Sequence, residues 1–234
     1  MQNELILLGS LVFIFSSIIF LYRFFGKSGL YAMTVIASVV ANIECMILIN
    51  AFGIEQTLGN VFFASTFLIT DILSENYGKK AADKAVWLGI FTSAFFIIIS
   101  QSWMMYIPSQ ADWVMPSIKS VFSNTPRIML SSFTVYAVSQ FIDVRLYHLW
   151  WNITYKRFGD KKKFLWLRNN GSTLISQLIN TVLFTIMAFG GVYDTPTLIN
   201  IMLSSYVIFV VAALCDTPVL YIARKIKEKK EISE

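Results

Sequence analysis

The chain has 234 residues, of which 56% are hydrophobic, 15% aromatic and only 14% charged. Soluble domains usually carry about 25% charged residues, so this composition indicates an integral membrane protein. The net charge of +5 does not indicate a nucleic-acid-binding protein, because the basic residues lie between apolar runs and do not form one basic face.

Seven apolar runs are long enough, or nearly so, to cross about 30 Å of hydrocarbon. The N-terminus lacks the basic leader and cleavage site of a signal peptide, so the first run is expected to be retained as a helix. The sequence therefore predicts an all-α, polytopic membrane helical bundle of about seven transmembrane helices. The runs are 5–24, 31–52, 60–77, 85–107, 128–150, 172–189 and 198–223.

Positive charge follows every second run. Short cytoplasmic loops are enriched in lysine and arginine, so this alternation predicts an outside N-terminus and a cytoplasmic C-terminus. The longest outside connection, 108–126, mixes apolar and polar residues and is compatible with a short interfacial or re-entrant helix. The basic residues after the first, third, fifth and seventh runs are Arg23, Lys27, Lys79, Lys80, Lys84, Lys156, Arg157, Lys161, Lys162, Lys163, Arg168, Arg224, Lys225, Lys227, Lys229 and Lys230.

Metal and catalytic motifs are not apparent in the sequence. Cys45 and Cys215 lie in apolar segments, where helix packing is their expected role. His148 is the only histidine, and no cysteine–histidine cluster accompanies it. The sequence also offers no nucleophile–base pair or histidine–glutamate metal motif. We therefore expect neither a cofactor nor a metal, and an intramembrane enzyme is the least favoured function.

One short polar phrase occurs twice inside apolar runs: Ser-Gln-Phe-Ile-Asp at 139–143 and Ser-Gln-Leu-Ile-Asn at 176–180. Helical residues three apart share a face, so Gln140 lies beside Asp143, and Gln177 beside Asn180. The two phrases fall on consecutive and therefore antiparallel spans, which can place them at a common depth. Polar side chains inside a membrane usually face an interior cavity. The phrases thus predict two walls of a polar binding site.

Other polar residues are expected inside the membrane, namely Asn42, Asp71, Glu75 and Asp216. Interhelical hydrogen bonds of about 0.6 kcal/mol are an alternative role for the amides. An ionised carboxylate at a helix centre costs about 2.5 kcal/mol or more, so Asp143 is expected to have a cation, a proton or a ligand. Asp71 and Glu75 are compatible either with capping or pairing to Lys79 or with substrate contact.

Aromatic side chains lie close to these polar groups in the sequence, among them Tyr136, Tyr147 and Phe184. Carboxylates, amides and aromatic rings together suit a planar, uncharged ligand that forms hydrogen bonds, such as a base with a guanine-like edge. Hydrogen bonds that involve a charged group contribute about 1.5 to 3 kcal/mol each. The spacing alone does not distinguish a nucleobase from another small amide-bearing solute.

Several segments resemble the queuosine-precursor transporter family, a group of bacterial inner-membrane proteins related to vitamin-uptake transporters. The resemblance extends from about residue 41 to 221 and matches in order and spacing. It covers Phe-Leu-Ile-Thr-Asp-Ile-Leu-Ser-Glu-Asn-Tyr-Gly-Lys-Lys at 67–80, Arg127-Ile128, Ser139-Gln140 with Asp143, Leu167-Arg168-Asn169 with Ser172-Thr173, Ser176-Gln177 with Thr181, and Asp216-Thr217-Pro218 with Tyr221.

The resemblance implies a carrier in the bacterial inner membrane, with a six-helix core at 30–223, an added N-terminal helix at 1–29 and a basic cytoplasmic tail at 224–234. Its implied substrates are 7-cyano-7-deazaguanine, 7-aminomethyl-7-deazaguanine or queuine, imported for tRNA modification. The family usually has aspartate where this chain has Asn180. The candidate substrate-binding residues are Gln140, Asp143, Gln177, Asn180, Asn42, Asp71, Glu75, Asn169, Asp216, Phe184 and Tyr136.

Two functional hypotheses follow. The leading one is a carrier that binds a deazaguanine between the fifth and sixth spans and releases it inward by alternating access. The alternative is a substrate-binding membrane subunit of a larger energised uptake complex. The expected partners are the small-molecule substrate and the lipid bilayer, without nucleic acid, and a homo-oligomer is left open. The preferred precursor, the energy source, and the substrate-binding or structural roles of Asp71, Glu75 and Asp216 are also left open.

Overall fold

The computed structural model describes residues 2–123, 126–160 and 162–233. Within these residues the chain forms seven helices and one antiparallel two-stranded hairpin. In chain order they are α1 (Gln2–Glu44), β1 (Leu48–Ala51), β2 (Ile54–Thr57), α2 (Asn60–Tyr77), α3 (Lys79–Trp103), α4 (Met115–Ser123), α5 (Pro126–Phe158), α6 (Leu165–Phe189) and α7 (Thr195–Ser233).

Four of the described helices are long and apolar enough to cross a membrane: α1, α3, α6 and the Thr195–Lys229 part of α7. The architecture is therefore that of a helical membrane bundle. Two further long helices, α2 and α5, contain the aspartates, glutamines and threonines discussed below. These polar residues lower their mean hydropathy.

Helix α1 is two helical arms joined at a sharp bend. Gly26 interrupts the helix with φ 57° and ψ −136°, a backbone conformation that glycine adopts at little steric cost. A straight helix of this length would extend about 65 Å. Instead, Asn3 donates a hydrogen bond to the carbonyl of Asn50 at 2.8 Å, and Glu4 accepts one from the amide of Phe52 at 3.0 Å. The two arms therefore run back along each other and correspond to the first two predicted runs.

The prediction that the second helix continues to residue 52 was wrong. The helix ends at Glu44, and the chain then forms the β1–β2 hairpin. Ala51 pairs with Ile54, and the two residues between them, Phe52 and Gly53, have φ of 56° and 71°. Two central residues with positive φ make the tight turn that suits the twist of a hairpin. The apolar residues of β1 extended the hydrophobic run past the true helix end.

Helix α2 is the centre of the bundle, although it is not one of the four described helices that are apolar enough to cross a membrane. It coincides with the predicted run 60–77 and packs against α1, α3, α5 and α7. Phe67, Leu68, Ile69, Ile72 and Leu73 are all completely buried. A helix surrounded by protein needs no lipid-facing apolar surface, which explains how α2 accommodates so many polar residues.

The other helices begin or end beyond their apolar runs. Helix α5 continues to Phe158, α6 begins at Leu165, and α7 continues to Ser233 through most of the predicted tail. One consequence is a correction: Arg168, counted above as a loop charge, lies in the first turn of α6 and is completely buried. The short helix α4 lies in the connection 108–126, where a short helix had been predicted.

Candidate functional site

A layer of buried polar side chains joins α2, α5, α6 and α7 in the interior of the bundle. Asp71 is on α2, Gln140 and Asp143 are on α5, and Gln177 is on α6, and each is at most 1% exposed. Asp216 on α7 is 2% exposed. The two repeated phrases therefore face the interior of the bundle and not the lipid.

Gln140 cross-links α5 to α2. Its Nε2 donates a hydrogen bond to Thr66 Oγ1 at 2.6 Å, and Thr70 Oγ1 donates one to its Oε1 at 3.2 Å. Both ends of the amide are thus bonded within the protein. Thr66 and Thr70 are one helical turn apart, so a single face of α2 receives the whole side chain. This geometry holds two central helices at a fixed register.

Asp143 connects the two repeated phrases. Ser176 Oγ, on the second phrase, donates a hydrogen bond to Asp143 Oδ1 at 2.8 Å. Thr173, one turn earlier on α6, donates to Asp71 Oδ2 at 3.4 Å. The carboxyl groups of Asp71 and Asp143 are themselves close enough to interact through a side-chain hydrogen bond. Arg145, the nearest cation in the sequence, is exposed on another face of α5.

Asn180 lines an internal cavity and is bonded to Gln177. Asn180 Nδ2 donates to Gln177 Oε1 at 3.3 Å, whereas Gln177 Nε2 is buried and has no acceptor among the described residues. The cavity is small, with a volume of ≈ 30 Å³. Its lining includes Asn60, Phe63, Asn180, Thr181 and Phe184. Amide, hydroxyl and aromatic groups therefore surround one narrow space, which has to widen before it admits a small molecule.

A second cavity of ≈ 280 Å³ adjoins the first, and the two share Thr57, Phe184 and Ser205 in their linings. Its walls are the β1–β2 hairpin, the C-terminal end of α6 and the N-terminal part of α7. All these segments belong to the same end of the bundle. The cavities thus form a path from that end toward Asn180.

Asn169 and Asp216 form a second buried pair between α6 and α7. Asn169 Nδ2 donates to Asp216 Oδ1 at 2.7 Å, and it also reaches Thr217 Oγ1 at 3.2 Å. Within the described parts of the chain, the Oδ1 atom of Asn169 has no hydrogen-bond donor. Asn170 donates to the same Thr217 hydroxyl at 2.8 Å. Both asparagines thus anchor α6 to the Asp216–Thr217 turn of α7.

Glu75 closes the opposite end of the polar layer. Arg168 Nη2 lies 2.9 Å from Glu75 Oε1 and 3.0 Å from Oε2, and Tyr147 donates its hydroxyl to Oε2 at 2.7 Å. Arg224 lies 3.7 Å from the same carboxylate. The cations that pair with Glu75 are therefore Arg168 and Arg224, and not Lys79. We call these four residues, Glu75, Tyr147, Arg168 and Arg224, the Glu75 cluster; it joins α2, α5, α6 and α7.

Asn42 and Tyr136 are separated from the repeated phrases. Asn42 Nδ2 donates to the carbonyl of Ser38 at 2.7 Å and to Ser93 Oγ at 3.1 Å, which connects the second arm of α1 to α3. Both residues line a very small cavity of ≈ 10 Å³ beside Thr66. The Tyr136 ring also packs edge-on against Phe63 at 5.9 Å. They flank the first cavity, and the structure gives them no hydrogen bond to the repeated phrases.

Sequence reasoning missed the partners that organise the polar layer. Arg168, Thr66, Thr70 and Thr173 were not among the candidate residues. A pattern in α6 could have indicated Arg168, because Arg168, Ser172 and Ser176 recur every four residues and share one face. The same spacing joins Thr66 to Thr70. Hydroxyl side chains that recur every four residues could therefore have indicated which helix faces bind the buried polar groups.

Comparison with known proteins assigns the family. Residues 57–223, more than half of the chain, match the family described as "Putative vitamin uptake transporter". A protein of Bacillus subtilis (strain 168) named "Probable queuosine precursor transporter" is 35% identical over 219 residues, which cover 94% of this chain and 93% of the relative. No solved structure matches. The resemblance inferred from the sequence is thus confirmed, and the chain is a multi-pass membrane protein and a transporter, not an enzyme. It belongs to the vitamin uptake transporter family.

Proposed function

We propose that this protein imports a queuosine precursor, namely 7-cyano-7-deazaguanine, 7-aminomethyl-7-deazaguanine or queuine, into the bacterial cytoplasm. The observation that carries the proposal is the 35% identity to the Bacillus subtilis relative across nearly the whole of both chains. The buried amides beside an internal cavity support it, because a deazaguanine carries both donors and acceptors on one edge. A base would satisfy groups that now lack partners.

The substrate binds, on this proposal, in the cavity beside Asn180 and Phe184, which widens to admit it. The ring packs against Phe184, which is half-buried in the cavity wall, and its polar edge faces Asn180, the hydrogen-bond partner of Gln177. The free Nε2 of Gln177 is a donor that suits the carbonyl oxygen of a guanine-like base. Each neutral hydrogen bond adds about 0.5–1.5 kcal/mol, so two or three of them distinguish this base from purely apolar solutes.

The proposed topology has seven spans, with the N-terminus outside and the C-terminus in the cytoplasm. In that orientation the two connected cavities open to the outside, since the hairpin and the start of α7 form their walls. The Glu75 cluster lies at the cytoplasmic end and closes it. The conformation is then outward-open, and inward release requires the helices of the Glu75 cluster to separate.

Cysteine labelling tests the topology. In a Cys45→Ser and Cys215→Ser background, Asp112→Cys is expected to react with a membrane-impermeant maleimide in intact cells. Lys162→Cys is expected to react only after the membrane is permeabilised. The opposite pattern would show that the two connected cavities open toward the cytoplasm.

Uptake of labelled base into liposomes that contain only the purified protein tests the function. Competition by the three precursors, with guanine for comparison, identifies the substrate. Gln177→Ala and Asp143→Ala are each expected to abolish uptake while the protein remains in the membrane. Gln101→Ala is the matched control, because Gln101 bonds to the carbonyl of Phe122 at 3.3 Å, away from the cavities.

Three outcomes of the liposome assay are informative. Unaided uptake supports a complete carrier. Binding without uptake favours the alternative, a substrate-binding subunit of a larger energised complex. Normal uptake by both the Gln177 and the Asp143 variants would remove the proposed site.

A further inference from the structure

The three buried aspartates of the polar layer have no cation of their own among the described residues. The arginines nearest in the fold, Arg168 and Arg224, both pair with Glu75. Each ionised carboxylate at a helix centre costs about 2.5–3.5 kcal/mol. Asp216 is partly compensated by the amide of Asn169 at 2.7 Å. The remaining negative charge belongs to Asp71 and Asp143.

Asp71 and Asp143 each have one hydrogen-bonded carboxyl oxygen and one that lacks a donor among the described residues. Each carboxyl group accepts one hydroxyl hydrogen bond from α6, at Asp71 Oδ2 and Asp143 Oδ1. The other oxygens, Asp71 Oδ1 and Asp143 Oδ2, are buried and have no donor within the described ranges. The two carboxyl groups are nevertheless within hydrogen-bonding reach of each other. Because carboxylates are acceptors only, a hydrogen bond between them needs one proton.

A larger ligand does not fit between these two groups in this conformation. Both side chains are 0% exposed, and neither lines the two connected cavities. In the described part of the chain, no group of three acidic, histidine or cysteine residues could hold a metal ion. A proton satisfies both oxygens without additional space.

We propose that Asp71 and Asp143 share a single proton and that this proton moves inward together with the substrate. The proposal rests on the proposed transport function. Asp71 is on α2 and Asp143 on α5, so the shared proton holds these two helices together. Loss of the proton places two negative charges side by side, and their repulsion separates α2 from α5.

The charged and titratable groups around the pair place this separation at the cytoplasmic end. Glu75 lies one turn beyond Asp71 on α2, and Tyr147 one turn beyond Asp143 on α5. Arg168 of α6 and Arg224 of α7 complete the Glu75 cluster, and Asp216 of α7 faces the pair from the same layer. Movement of α2 against α5 therefore strains the Tyr147–Glu75 bond and loosens the cytoplasmic closure.

Infrared spectroscopy tests the shared proton without any transport. The wild type in lipid at neutral pH is compared with the double variant Asp71→Asn and Asp143→Asn, using the carbonyl band of protonated carboxyl groups. The double variant is expected to lose the intensity of one carboxyl group. No loss, or a loss equal to two groups, overturns the proposal. Asp112→Asn, in an exposed loop, is the control and is expected to lose none.

Proton movement tests the coupling. Wild-type protein is placed in liposomes that enclose a pH-sensitive dye, and unlabelled precursor is added outside. Uptake is expected to acidify the interior by one proton for each molecule of base. Uptake with no acidification overturns the coupling. If no base enters at all, the proposed function fails, and the infrared result still decides whether the proton is present.

Discussion

Replacing Glu75 with glutamine removes the only carboxylate that pairs with Arg168 among the described residues. The Arg168 side chain is 0% exposed and that of Glu75 is 5% exposed, so water cannot compensate for the lost charge. Breaking a buried ion pair by removing one partner costs about 3–5 kcal/mol. Arg168 then keeps the carbonyl of Lys163 at 2.8 Å, the face of the Trp151 ring at 4.5 Å and, from the new glutamine, only a neutral amide oxygen in place of a charge. We expect this full cost in Glu75→Gln.

Thermal unfolding of the purified protein in detergent measures the effect. One kcal/mol corresponds to about 2–4 °C in Tm for a chain of this size, so Glu75→Gln is expected to lower Tm by roughly 10 °C. Glu228→Gln provides a matched control, because its pair with Lys162 is just as short at 2.9 Å but is 73% and 40% exposed. An exposed pair contributes about 0.2–1 kcal/mol, which changes Tm by at most a few degrees.

A double-variant cycle completes the test. Adding Arg168→Gln to Glu75→Gln removes the unpaired buried charge, so the double variant is expected to recover part of the lost Tm. Equal losses for Glu75→Gln and Glu228→Gln would refute the buried-charge argument. If the loss of Tm in the double variant equals the sum of the losses in Glu75→Gln and Arg168→Gln, the two side chains do not act as a pair.

Three further predictions concern packing and hydrogen bonds. A Cβ atom at Gly89 would overlap the Tyr136 hydroxyl; Gly89→Ala is therefore expected to cost about 1–3 kcal/mol, and Tyr136→Phe in the same chain should recover part of the Tm. Thr66→Val leaves the buried Gln140 amide without its acceptor, which is expected to cost about 1–3 kcal/mol in chemical unfolding. Arg127→Gln removes two bonds to the carbonyls of Met187 and Gly190 that end α6, at 2.8 and 2.5 Å; we expect this exposed contact to be worth about 1 kcal/mol, or 2–4 °C in Tm.

The sequence predicted the apolar helices well because hydrophobic length reports directly on lipid contact. It gave the bounds of α2 correctly but did not predict that α2 lies at the centre of the bundle, for the same reason. Hydropathy measures suitability for lipid, and α2 is enclosed by four other helices. Its eventual position at the centre depends on contacts with distant parts of the chain. Those contacts cannot be read from a local window of residues.

The repeated phrases were recognisable because Gln140, Asp143, Gln177 and Asn180 follow helical spacing. Their partners were harder to foresee. Arg168 lies 93 positions from Glu75 in the sequence, and its position after a basic loop resembled a solvated cytoplasmic charge. Burial of that arginine depends on how α6 is placed against α2. Only the three-dimensional arrangement distinguishes a buried, ion-paired arginine from an exposed basic residue of a cytoplasmic loop.

The contacts of Asn3 and Glu4 with the β1–β2 hairpin have a practical consequence for anyone expressing this protein. The start of α1 is fastened to the hairpin wall of the second cavity through the carbonyl of Asn50 and the amide of Phe52. An affinity tag or fluorescent reporter fused ahead of residue 2 is expected to pull on that wall and to change the shape of the cavity. Fusions placed after the long C-terminal helix avoid this contact and are the better choice for transport measurements.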